Sequence, residues 1–118
     1  MRMWNVDPSI MCRSHLLGEH REMHTLLGSL RKGISLRGYI TNGLVEVHNV
    51  IKRHDALVEE MLKRGYNHKS PIKDDEYSLL YEAGSVDSEN SLKELNKRCP
   101  YCRENIKNKK ELFNVTYC

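Results

Sequence analysis

Three groupings of side chains in this 118-residue chain could do chemistry. His15, Glu19 and Glu22 follow at steps of four and three, so on a helix they share one stripe. Gly18 lies on the same stripe, four residues before Glu22. A helix-interior glycine costs about 1 kcal/mol against alanine, and it usually marks close approach by another backbone or a ligand. A histidine with two carboxylates can hold and move protons; the plainer reading is a solvated face with incidental charges. The second grouping is His20 and His24, at i,i+4, both able to ligate one metal ion. Their segment superficially resembles the HExxH zinc helix, but there the glutamate follows the first histidine directly. Here Glu22 is two positions on, roughly 200° round the helix, so no metal is expected on that face.

The third grouping is Cys99-Pro100-Tyr101-Cys102, with the spacing of a redox pair or of half a zinc site. A redox role wants a βαβ setting, which the sequence lacks. Zinc wants two more ligands; Cys12, Cys118 or His68 could serve, but there is no second CxxC. Reduced structural thiols are therefore expected, with no metal and no cofactor. The absence of secretory features argues against a disulfide framework for the four cysteines.

The elements that must position these groups read as helices. Asp7-Pro8-Ser9 is a helix start, with Asp7 able to cap and Pro8 suited to the first position. Leu16, Met23, Leu27 and Leu30 recur at helical spacing, with Leu26 beside them, and Lys32-Gly33 makes a stop. The first helix is read as Pro8 to Lys32. A Gly-containing connection over Ser35 to Gly43 follows. Leu44, Val47, Ile51, Val58 and Met61 form a second stripe that ends at Arg64-Gly65. Tyr66 to Ser91 is polar and acidic and carries Pro71 and Gly84, so it reads as loop with a short helix near Glu76 to Glu82. A third helix is expected between Ser91 and Leu112. No strand pattern or internal repeat is present, so the predicted fold is all-α: one domain over residues 1–118, about three helices, with a long loop between the second and third.

Composition narrows the setting. With 39% apolar and 30% charged residues the chain reads as an ordinary globular protein. No apolar run suits a membrane span, and the start lacks the apolar stretch of a secretory signal, so an intracellular monomer is expected. The net charge of +3 is small, but its distribution is uneven. The acids concentrate between Asp74 and Glu94, while Arg31, Lys32, Arg37, Lys52, Arg53, Lys63, Arg64 and Lys69 lie upstream and Lys107–Lys110 downstream. Segregated basic patches suit a surface that tracks phosphates, although solvated helix faces give such runs too.

Within this frame, His15-Leu16-Leu17-Gly18-Glu19-His20-Arg21-Glu22-Met23 resembles the first-helix signature of the pyrimidine-dimer DNA glycosylases. The resemblance continues through Leu27-Gly28, Arg31-Lys32, Lys52-Arg53 and Leu62-Lys63-Arg64-Gly65-Tyr66-Asn67, and Met1-Arg2-Met3-Trp4 looks like the start of cellular members. It covers residues 1–69. It implies a DNA repair enzyme whose N-terminal amine attacks the sugar of a damaged nucleotide, forms a Schiff base and nicks the strand by β-elimination. Its partner would be damaged double-stranded DNA. The same chemistry on another lesion or on abasic sites alone, and a non-catalytic helical DNA-binding module, are the alternatives.

The resemblance assigns catalysis to the N-terminal amine and to Glu22, and DNA contacts to Arg2, His15, Arg21, Arg31 and Lys32. Arg103 and Lys107, at i,i+4, could supply the family's third-helix basic pair, and Phe113 and Tyr117 its aromatic tail. Because Arg2 is large, Met1 is expected to be retained, which keeps its amine in register with Glu22. Thr25 stands where the family has an arginine, so one phosphate or sugar contact is missing or moved. Trp4 could stack on a base or pack the N-terminal arm onto the core; packing is the favoured expectation.

Overall fold

The computed structural model describes the backbone of residues 2–68, 72 and 74–117 and the side chains of 2–68, 72 and 76–109. Among the described residues five α-helices follow in order: α1 (Arg13–Arg31), α2 (Arg37–Thr41), α3 (Val50–Lys63), α4 (Ser88–Arg98) and α5 (Pro100–Tyr117). Short 3-10 turns cover Pro8–Ile10, Val47–Asn49 and Asp74–Leu79, and no strand occurs among the described residues. The fold is all-α, as the sequence predicts.

The long helices form where the apolar stripes fall. On α1 the buried positions are Leu16, Glu19, Met23, Leu26 and Leu27; on α3 they are Val50, Ile51, Arg53, His54, Leu57 and Met61. The two stripes face each other, and α1 packs most extensively against α3. Each fully buried leucine or methionine there contributes about 1.5–3 kcal/mol relative to exposure. Both helices end at the predicted basic-then-glycine stops: Lys32 and Arg64 are the C-caps, and Gly33 and Gly65 take φ of 72° and 81°.

The predicted start of the first helix is real but short-lived. Asp7 accepts the Ser9 amide at 2.9 Å, yet only a 3-10 turn forms before the chain extends at Met11 and Cys12. The bonds a continuous helix would need go elsewhere. Arg64 Nη2 takes the carbonyls of Pro8 (3.2 Å) and Met11 (2.7 Å), and the Cys12 amide points at Cys102 Sγ (3.2 Å). The α-helix therefore starts at Arg13, not Pro8.

The predicted third helix is a pair. Asp87 caps α4 by accepting the Asn90 amide at 3.1 Å, and α4 ends at Cys99, whose extended backbone (φ −114°, ψ 111°) is what a residue before proline favours. Pro100 then opens α5. The connection read over Ser35 to Gly43 contains α2, and the short helix expected near Glu76 is the Asp74–Leu79 turn. α4 and α5 pack on each other, and α5 also lies on the Pro8–Ile10 turn. Gly84 seals the loop before α4: at φ 90°, a Cβ there would stand 2.0 Å from the Val45 carbonyl oxygen.

Candidate active site

The N-terminal arm is fixed to the helical pair by its backbone. The Met3 amide donates to the Leu44 carbonyl at 2.7 Å, and Met3 and Trp4 are buried, so Trp4 packs the arm onto the core. Further along, Arg53 on α3 donates its Nη1 to the Val6 carbonyl at 2.5 Å. The same guanidinium grips Glu19 of α1 through two bonds, Nε to Oε2 and Nη2 to Oε1, the latter at 3.0 Å. Both side chains are buried, so Glu19 serves as Arg53's counter-charge and does not share the solvent face suggested by its stripe.

This anchoring lays the first residues along α1. The Arg2 amide N–H donates to Glu22 Oε2 at 3.0 Å. Glu22 is half-buried, one turn beyond Gly18, and apart from the backbone of α1 itself no described residue lies within 4 Å of where a Gly18 Cβ would be. The described residues therefore leave that space open. Arg2's guanidinium stacks 4.0 Å above Trp4, and its Nη2 reaches Ser91 Oγ on α4 at 3.4 Å.

The other predicted contacts scatter. Arg21 is exposed on α1, and Lys32 is exposed at its C-cap. Arg31, also exposed, is ion-paired with Glu76. Arg103 bonds the carbonyls of Asn96 (2.6 Å) and Lys97 (2.8 Å), closing the end of α4, while Lys107 is exposed on α5. Thr25 is exposed, and its hydroxyl donates back to the Arg21 carbonyl at 3.1 Å. The expected roles of Met1, Cys118 and the side chains of Phe113 and Tyr117 lie outside the described residues. A cavity of about 370 Å³, bounded by Val6, Ile10, Leu92 and Ile106, is lined by none of Arg2, Arg21 and Glu22.

Two clusters of metal-ligand type emerge that sequence reasoning did not assemble. His15 lies with Cys12, Cys99 and Cys102, all four ligand atoms within 4.8 Å of one another. His20 and His24 meet His54 of α3 and His68 in the same way. Burial and the surrounding imidazoles push His20 down to about 4, and burial also lowers His24, so both rings favour the neutral form. For the first cluster the signal was present: Cys12-x-x-His15 has the spacing of Cys99-x-x-Cys102. A search for a second CxxC passes over it.

The fold and the site together define an all-helical protein whose first helix offers a carboxylate to the backbone at the start of the chain. The model of the family described as pyrimidine dimer DNA glycosylase matches residues 1–74, and the chain belongs to that family. It is by family a DNA repair glycosylase, and its partner is damaged DNA. Neither a curated protein nor a solved structure matches it. The family match stops short of α4 and α5. No helix among the described residues is long and apolar enough to cross a membrane.

Proposed function

We propose that the protein is a glycosylase with abasic-site lyase activity whose nucleophile is the α-amine of a retained Met1. The observation that carries this reading is the 3.0 Å bond from the Arg2 amide to Glu22, one peptide unit from that amine. An α-amine titrates near about 7.7–8.0, well below lysine, so a useful neutral fraction exists at physiological pH.

In the proposed reaction the amine attacks C1′ as the glycosidic bond breaks, and the departing pyrimidine leaves with the bonding pair and picks up a proton. Glu22 takes the proton that the amine sheds and stabilises positive charge on the opening sugar. The resulting iminium acidifies the C2′ proton, whose removal expels the 3′ phosphate and nicks the strand. The open space at Gly18 gives the sugar room beside the carboxylate. Arg2, Arg21 and Lys32 hold flanking phosphates. Damaged pyrimidine dimers are the proposed substrate; because Thr25 stands where the family has an arginine, another lesion or abasic sites alone are the second reading.

Borohydride trapping on dimer-containing and abasic duplexes tests this. The expected result is a covalent adduct that disappears when the N-terminus is blocked. An adduct on the abasic duplex alone selects the second reading. Normal DNA binding with no adduct on either duplex overturns the enzyme mechanism. Intact-protein mass spectrometry checks that Met1 is retained.

A further inference from the structure

We propose that Cys12, His15, Cys99 and Cys102 form a structural zinc site that fastens the α4–α5 pair to the start of α1. A tetrahedral site with zinc–sulfur bonds of about 2.3 Å and zinc–nitrogen bonds of about 2.0–2.1 Å sets sulfurs about 3.8 Å apart and sulfur and nitrogen about 3.6 Å apart. Cys12 Sγ and Cys99 Sγ stand 3.8 Å apart, and Cys102 Sγ and His15 Nδ1 3.6 Å apart. Cys12 Sγ and His15 Nδ1 are closer, at 3.2 Å. The sulfurs are far too distant for the disulfide length of about 2.05 Å, and all three cysteines are free.

Two backbone amides point at these sulfurs. The Cys12 amide donates to Cys102 Sγ at 3.2 Å, and the Cys102 amide to Cys99 Sγ at 3.4 Å. Such N–H···S bonds stabilise negative sulfur and orient metal ligands. Each ligand pair begins at a break in the helical path and ends in the first turn of the next helix: Cys12 precedes α1, which carries His15, and Cys99 lies between α4 and α5, which carries Cys102. Binding displaces three thiol protons and leaves the site with one net negative charge. It makes His15 a ligand and not a DNA contact, and it supplies the metal that the isolated Cys99–Cys102 pair did not predict.

Cobalt(II) substitution of the full-length protein, reduced and folded, tests the site without reference to activity. Sulfur-to-cobalt charge transfer with strong tetrahedral d–d bands is expected, and zinc should displace cobalt at one equivalent. Cys102→Ser and the milder His15→Ala should each weaken or abolish these bands. A native protein, shown by circular dichroism to be folded, that gives no thiolate charge transfer overturns the proposal.

A different observation points to a second metal, held by His20, His24, His54 and His68. The Nε2 atoms of His24 and His54 are 3.1 Å apart, and those of His20 and His68 are buried with no hydrogen-bond partner. His54 Nδ1 faces Asp55 Oδ1 at 3.0 Å, the carboxylate support that fixes a ligating imidazole with Nε2 toward the metal. Four nitrogen donors suit a divalent first-row ion such as zinc, nickel or copper. Elemental analysis after loading with zinc or nickel alone should find two equivalents in the wild-type protein and one in His68→Ala. If His68→Ala binds as much metal as wild type, this second site is overturned.

Discussion

At the scale of single residues, the chemistry rests on Glu22 and the space beside it. Glu22→Gln keeps the carboxylate's shape and its acceptor for the Arg2 amide but cannot take a proton. Turnover on dimer duplex should fall by about 10²- to 10⁴-fold with DNA affinity little changed; single-turnover kinetics beside a binding isotherm would show it. Unchanged turnover would remove Glu22 from the reaction. Gly18→Ala separates stability from function. The new methyl meets none of the described residues beyond its own helix, so the helix should gain up to about 1 kcal/mol by thermal or urea unfolding. Activity should nevertheless fall, because the methyl occupies the space proposed for the sugar. A stabilised variant of full activity would show that the substrate does not approach there.

Between elements, the arm, α1 and α3 are tied by one buried ion pair. Glu19→Ala leaves the Arg53 guanidinium without its counter-charge in a buried setting, a change that costs about 3–5 kcal/mol. Urea unfolding should register that loss. Because Arg53 also holds the Val6 carbonyl, the N-terminal arm should loosen first, which hydrogen exchange at Met3 and Trp4 would detect. Gly84→Ala should cost about 2 kcal/mol or more, from strain at positive φ and the clash with Val45. These ties explain what could be read in advance. The α1 and α3 stripes and their glycine stops are local patterns of period and capping, and they were legible. Glu19 was not, since its partner is 34 residues away and its position on a polar stripe suggested solvent. The break before α1 was hidden for the same reason, because Arg64 and Cys102, both remote in sequence, take the hydrogen bonds that would have continued the helix. The Cys99-Pro100 break was local, but the helix there was read as one piece.

For the whole molecule, charge placement decides how DNA is held. A net charge of +3 is too small for a general phosphate-coating surface, so binding must come from a few placed cations. The acidic stretch does part of that placing: Glu76, in the turn packed on α1, occupies Arg31. Arg103 is likewise committed to the end of α4. Arg2, Arg21, Lys32 and Lys107 are then the candidates for phosphate, and four such contacts give a slope of about −3.6 for log affinity against log salt. Arg21→Ala and Lys32→Ala should each flatten the slope by about 1, and Arg31→Ala by distinctly less, since its ion pair competes with phosphate. Lys107→Ala is the informative member of the series, because it reports on α5, beyond the family match. If α5 is held against the start of α1 with its basic face toward DNA, this variant flattens the slope by about 1 as well. An unchanged slope would confine the DNA surface to the arm and α1 and leave α4 and α5 as the support behind them.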